Sequence, residues 1–229
     1  MTYDRNEYRT RQVKDYISMF YPELKMDFKD AMVLDVGCGP GVVSLSLAPY
    51  AKSVVGIDPS GEAIEQARDE AKKRGMANVS FVQISAYDLE PSQLHDVVIL
   101  SDVLEHVPDK RLLLEKCLNV MAPGGVLYLN TPNKWFPMEP HLHMLFVSWL
   151  PKGLASHYAS AFGKGRYEGY DLLGYREFRD LLDSFPIIYT FKPQPNPVRR
   201  MYRIGNLLVT RAPFMWRFAN AFQVIIQKR

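Results

Sequence analysis

The chain has 229 residues, 47% of them apolar and 23% charged, with 28 Lys or Arg against 25 Asp or Glu for a net charge of +3. These values fit one α/β-sized globular domain and exclude extensive disorder, and with only Cys38 and Cys117 present the thiols are expected to be reduced. No apolar run reaches the ~20 residues needed to cross a bilayer, and residues 1–11 are polar and charged, so a cytoplasmic location is expected. The charge is divided unevenly: residues 184–229 hold eight Lys or Arg and no acid, leaving the remainder at −5.

Residues 5–20 read as a helix with Val13, Ile17 and Phe20 on one face. It is expected to cover the mouth of a ligand site, with Tyr3 and Tyr8 either near a substrate or simply part of the cover. The next stretch organises the rest of the chain. Residues 33–36 form a short apolar run, Gly37, Gly39 and Gly41 follow at alternate positions, and a helical pattern begins at Val42. Strand, tight turn and helix are expected, with glycines because φ is often positive there and a side chain would hold a ligand off the backbone N–H groups.

Two acids narrow the ligand. Asp35 lies two residues before the first glycine, where it would oppose a pyrophosphate but suit a ligand with a cationic head. Asp58 ends a second strand-like run, 53–57, seventeen residues beyond Gly41, where a carboxylate can accept hydrogen bonds from two ribose hydroxyls. An adenosine fits that position.

With VLDVGCGPG at 33–41, VVGIDPS at 54–60, DVLEHV at 102–107 and Pro123-Gly124-Gly125 before another strand, the chain resembles the class I S-adenosylmethionine-dependent methyltransferases. The resemblance implies S-adenosyl-L-methionine as cofactor, held by Asp35, Gly37, Cys38, Gly39, Gly41, Asp58, Pro59, Ser85, Ala86, Ser101 and Asp102. The family usually places an acid just past the third strand to receive the adenine amino group. Ser85 stands there instead, so the contact falls to the Ser85 hydroxyl, the Ala86 backbone or Asp88.

A helix over 62–74 with Gly75 as its stop leads to a strand over 79–83. Residues 97–100 are an unbroken apolar run, as in a central strand buried on both faces, with Ser101 and Asp102 at its ligand-binding end. By the resemblance, His106 points toward the transferable methyl group. It is either the base that takes a proton from an attacking hydroxyl or phenol, or it orders the loop together with Glu105. Asp109 is expected to cap a helix over 112–121, followed by a strand over 126–130.

Residues 131–175 turn irregular and aromatic, with four prolines, in the slot where the family inserts substrate-recognition elements. Parts of this segment are similar to a subgroup associated with cell-surface glycan or lipid-linked products. On an extended chain Glu139, His141 and His143 would face one way. Substrate contacts, a second base at His141 or His143, and plain loop satisfaction all stand open, and no metal site is assigned because further ligands are lacking. A helix over 176–185 and a strand over 187–191 follow. Residues 198–219 mix five arginines with aromatic and aliphatic side chains, reading either as an interfacial segment for anionic lipid or a phosphate-bearing substrate, or as a core helix with solvated arginines. A last strand spans 222–227.

The expected architecture is a Rossmann-like, seven-stranded, mostly parallel sheet with helices on both faces. The resemblance makes its last strand antiparallel and inserted beside the fifth, with an aromatic lid insertion after strand 5. One domain is expected over 1–229, divided into an N-terminal helix (1–30), a cofactor-binding core (31–131), a lid (132–175) and C-terminal strands with the basic-aromatic insertion (176–229). The expected function is methyl transfer to an oxygen, before nitrogen or carbon, of a small or lipid-linked acceptor such as a glycan, quinone or lipid, with peripheral contact at the inner membrane face through 198–219. Two rivals remain: a nicotinamide oxidoreductase, which leaves Asp35 and 102–106 unexplained, and a non-catalytic membrane or partner-binding module. Nucleic acid is disfavoured because no basic groove with spaced stacking aromatics is evident outside 198–219. The acceptor and the oligomeric state are not readable.

Overall fold

The computed structural model describes residues 17, 23–24, 26–139, 142–165, 167, 170–192 and 219–228. The expectations for the N-terminal helix apart from Ile17, for Tyr3 and Tyr8, for His141, and for 198–218 lie outside these residues. In chain order the elements are β1 (Met32–Val36), α1 (Val42–Leu47), β2 (Ser53–Asp58), α2 (Gly61–Lys73), β3 (Val79–Gln83), β4 (His95–Ser101), α3 (Lys110–Asn119), β5 (Met121–Pro132), α4 (Lys152–Ala161), α5 (Tyr175–Asp183), β6 (Ile187–Lys192) and β7 (Ala221–Lys228).

The strands form one seven-stranded sheet in the order β3-β2-β1-β4-β5-β7-β6. The first five run parallel, and β7 runs antiparallel between β5 and β6. The expected fold is therefore observed, including the antiparallel last strand beside the fifth. Strand order reverses at β1, so its two neighbours feed loops to opposite sides and leave a crevice at the carboxyl ends, where open α/β sheets take ligands.

Alternation along each strand supplies two cores. Leu34, Val36, Val98, Leu100, Leu127, Leu129, Phe222 and Val224 face Leu113, Leu114 and Cys117 of α3 and Phe178 and Leu182 of α5. Val33, Val97, Ile99, Val126, Tyr128 and Ile225 face the other way, toward Leu24, Phe28 and Leu47, with Ile17 packed alongside. Val97 to Leu100 have no exposed surface on either face, as their unbroken apolar run predicts.

Local signals set the helix ends. The Ser60 hydroxyl accepts from Ala63 N at 3.2 Å and opens α2, whose Ile64, Ala67 and Ala71 are buried at helical spacing. Gly75, at φ 63°, lets the chain reverse, and Met76 N then donates to Ala71 O at 3.1 Å. Asp109 caps α3 through Leu112 N at 2.9 Å.

Two elements differ from expectation. Helix α3 stops at Asn119, because Met121 already pairs with His95 at the start of a twelve-residue β5. The register shift after His95 brings Gly125 so near the strand that a Cβ there would lie 2.9 Å from Asp96 O. Helix α4 was hidden because its fully buried residues are the small Ala155 and Ala159, set against Met144, Val147 and Tyr167 with Tyr158 half-buried beside them, while Leu154 faces out. No helix among the described residues is long and apolar enough to cross a membrane.

His95 is buried at the amino end of β4, and neither ring nitrogen has a hydrogen-bond partner. Burial therefore holds its pKa below the ordinary 6.5. The unfolded chain binds the proton first as pH falls, so the stability carried by neutral His95 is present above 6.5 and is lost as pH drops toward the lowered folded value. His95→Leu is expected to remove this loss. In urea melts at pH 7 and pH 5 the variant gains on the wild type at the lower pH, and an unchanged difference would contradict the assignment.

Candidate active site

The glycine turn after β1 has the positive φ angles its sequence predicts: 71° at Gly37, 51° at Gly39 and 77° at Gly41. Its N–H groups, however, are committed within the fold. Gly37 N and Cys38 N donate to Ile57 O at 2.8 and 2.9 Å, Gly41 N donates to Cys38 O at 3.0 Å, and Gly39 N donates to the Asp58 carboxylate at 2.9 Å. This corrects the expectation that the turn offers a row of N–H donors. It admits a ligand by lacking side chains, and a Cβ on Gly39 would meet nothing within 4 Å.

Asp58 ends β2 at the edge of this turn. One carboxylate oxygen accepts from Gly39 N and the other from Ser60 N, each at 2.9 Å. Two bonds leave lone pairs on both oxygens for further donors. Around it opens a cavity of about 280 Å³ lined by Gly37, Ile57, Asp58, Pro59, Ile84, Ser85, Ala86, Tyr87, Asp102, Val103, His106 and Val107. Of the predicted cofactor residues, the fold thus brings Gly37, Asp58, Pro59, Ser85, Ala86 and Asp102 together. Ile84, Val103 and Val107 give it apolar walls, while Asp58 and Ser85 supply acceptors, a combination that fits an adenosine. Asp88, the other acid considered for the adenine end, is exposed and outside the lining.

The remaining predicted cofactor residues sit behind the lining. Asp35 is buried and accepts from Ser44 Oγ at 2.5 Å, so its charge acts from beneath the turn and not by contact across the cavity. Burial pushes its carboxyl up to about 6, against the two hydrogen-bond contributions from Ser44 and with the nearby Asp58 charge adding. Cys38 turns its thiol into the packing of α2 and Phe81, and burial pushes its pKa up, so it is no nucleophile. Ser101 donates to Asp102 at 3.3 Å from just outside the lining, and Gly39 and Gly41 shape the turn.

Asp102 takes the left-handed conformation, φ 57°, which an Asp tolerates. It is held by Asn130 Nδ2 at 2.8 Å, and its own N donates to Asn130 O at 3.0 Å. The chain then makes a short turn over Leu104–His106 that divides two roles. Glu105 is buried and accepts from Thr131 Oγ1 at 3.2 Å, fixing the loop to β5. His106 is exposed toward the cavity, its ring edge-on to Tyr170 with centroids 5.0 Å apart. Tyr170 belongs to the aromatic insertion, which is tied down again where Asp171 N donates to Glu105 O at 3.0 Å and its carboxylate pairs with Lys110.

The common face expected for Glu139 and His143 is not observed. Glu139 is buried and accepts from Leu142 N at 2.6 Å, whereas His143 has φ 54° and is exposed, so the two do not share a face. His143 does not line the cavity, and His141 lies outside the described residues. No group of three or more His, Cys, Asp and Glu among the described residues could hold a metal ion. Sequence reasoning missed Ile57, Ile84, Tyr87, Val103 and Val107 as lining residues. Each directly neighbours a residue that it did identify, and strand alternation alone does not say which neighbour turns inward. Tyr87 is fixed by Asp109, accepting from Asp109 N at 3.0 Å and donating to Asp109 O at 3.2 Å.

Comparisons with known proteins agree with this geometry. The ubiquinone biosynthesis O-methyltransferase of Neisseria meningitidis serogroup C is 30% identical over 155 residues, 64% of each chain. That of Colwellia psychrerythraea is 37% identical over 112 residues, 48% of this chain and 45% of the other. These matches span about half to two thirds of the relatives' own length. Among solved structures, magnesium protoporphyrin IX methyltransferase from Synechocystis with bound S-adenosylmethionine superposes with a TM-score of 0.59 at 16% identity, over 96% of this chain and 79% of that one. The N-methyltransferase NodS from Bradyrhizobium japonicum with S-adenosylhomocysteine gives 0.57 at 14%, over 97% and 86%. These two share the fold. The methyltransferase domain family matches residues 27–164, more than half of the chain, and with the sheet order and the cavity at the β1 switch point the chain belongs to that class I, S-adenosylmethionine-dependent family.

Proposed function

We propose that the protein transfers the methyl group of S-adenosylmethionine to an oxygen of a small or lipid-linked acceptor, with His106 as the base. The observation that carries this reading is that Asp58 and His106, from different loops, line one cavity. The sequence relatives named as O-methyltransferases of ubiquinone biosynthesis support oxygen as the methylated atom and a hydroxylated ring as the acceptor class.

S-adenosylmethionine, when bound, supplies an electrophilic methyl group on a sulfonium sulfur. The chain's own task is to bind, align and dry the reactants. Asp58 accepts the ribose hydroxyls, and Ile84, Ser85 and Ala86 receive the adenine. Asp35, buried beneath the turn, provides negative potential toward the cationic end. The acceptor hydroxyl sits by His106, whose imidazole nitrogen takes its proton as the oxygen becomes the nucleophile. Tyr170 holds the imidazole edge-on. A pyrophosphate would find the turn's N–H groups at Gly37, Cys38, Gly39 and Gly41 already occupied, which disfavours the nicotinamide reading.

Incubation with methyl-labelled cofactor and a panel of phenols, with and without an alkyl tail, is expected to give O-methylated product. Label recovered only on nitrogen or carbon would contradict the assignment. His106→Asn is expected to lower kcat by about 10²–10⁴-fold while S-adenosylhomocysteine affinity is unchanged; undiminished kcat would remove His106 as the base.

Gly37→Ala tests the cavity floor. Its Cβ would lie 2.4 Å from Val103 Cγ2 at a φ of 71°, so Val103, which lines the cavity, must shift. A strain of about 1–2 kcal/mol and weaker S-adenosylhomocysteine binding by calorimetry are expected. Unchanged affinity would place the cofactor elsewhere.

A further inference from the structure

The insertion after β5 closes a small core of Met144, Val147 and Tyr167 and leaves much of its large apolar surface outside. Among its described residues it exposes Trp135, Leu145, Phe146, Trp149, Leu154 and Phe162, with Leu154 and Phe162 61% and 66% exposed, while α4 spends its buried face on two alanines. A helix folded for its own core would do the reverse. The exposed aromatics are also ordered: Trp149 stands edge-on to both Phe146, at 4.7 Å between centroids, and Trp135, at 6.1 Å. Phe146 keeps the left-handed conformation, φ 59°, a conformation that costs a non-glycine residue energy and here leaves its ring outside the core.

Charge selects the occupant. Between 133 and 165 the described cationic side chains are Lys134, Lys152 and Lys164, and the one acid, Glu139, is buried. Lys134 lies over the Trp135 ring, its Nζ 5.4 Å from the centroid. Tryptophan, phenylalanine and leucine, in a stretch whose charged side chains outside the core over 133–165 are all lysines among the described residues, match an interface of acyl chains beneath anionic headgroups, and the exposed Asp171 farther along is paired with Lys110. We propose that this surface docks the protein on an anionic phospholipid bilayer. The segment at 198–218 is not needed for this placement, and the proposal does not depend on the methyl-transfer reading. The two meet at Tyr170, which joins the same insertion to His106, so docking would bring a membrane-held acceptor to the insertion's inner side.

The test uses the full chain carrying Trp216→Phe, which leaves Trp135 and Trp149 as the fluorophores, with vesicles of phosphatidylglycerol or of phosphatidylcholine alone. Cosedimentation with phosphatidylglycerol vesicles, a blue shift and quenching by lipids brominated on the acyl chain are expected, with weaker binding to phosphatidylcholine and at high salt. Trp149→Ser combined with Phe162→Ser is expected to lower vesicle affinity at least tenfold, with circular dichroism and S-adenosylhomocysteine affinity unchanged. Lack of binding, binding undiminished in the double variant, or absence of bromine quenching would overturn the proposal. Equal binding to both lipids would overturn the anionic assignment. A dimer in sedimentation velocity that the double variant dissociates would assign the surface to a second copy of the chain instead.

Discussion

The site depends on one carboxylate. Asp58 receives Gly39 N on one oxygen and Ser60 N on the other, and so ties the turn after β1 to the turn after β2. Hydrogen bonds to a charged acceptor contribute about 1.5–3 kcal/mol each, more than an exposed ion pair on the surface of α2. With the turn drawn onto the end of β2, Gly37 and Cys38 reach Ile57 O, and the glycines become a smooth wall instead of a donor-lined cradle. The same carboxylate is left facing the cavity with unused lone pairs.

Around that fixed point the loops divide their work. Glu105 and Asp102 are bound back onto β5 through Thr131 and Asn130, which leaves the intervening backbone with little freedom. His106, between two anchored segments, is the part presented outward. The insertion is fastened to the same loop by the Asp171 backbone, by the Lys110–Asp171 pair and by Tyr170, so its position and that of His106 are linked. The exposed apolar surface of the insertion and the His106 ring thus belong to one connected unit.

The sequence was most legible where local chemistry dictates the backbone. Gly37, Gly39 and Gly41 at alternate positions and the apolar run 97–100 read directly into turn and central strand, and Asp109 and Gly75 marked helix ends where the caps are found. It was least legible where a tertiary contact overrides the local pattern. Met121 looked helical, but strand pairing with His95 claims it, and α4 gave no apolar periodicity because its buried face is alanine. In the site, an acid beside the glycine turn suggested ligand contact, yet Ser44, one turn into the following helix, draws Asp35 inward. The common face read for Glu139 and His143 failed for a similar reason, since His143 is left-handed and Leu142 N claims Glu139.

The account rests on the cavity beside Asp58 being the seat of S-adenosylmethionine. The most direct measurement is calorimetric titration of the wild type and of Asp58→Ala with S-adenosylhomocysteine and, separately, NADH, with urea melts confirming that the variant is folded. The account predicts that the wild type binds the first and not the second, and that a folded Asp58→Ala loses affinity by about 10–100-fold. Binding of NADH, or S-adenosylhomocysteine affinity untouched in the folded variant, would contradict it.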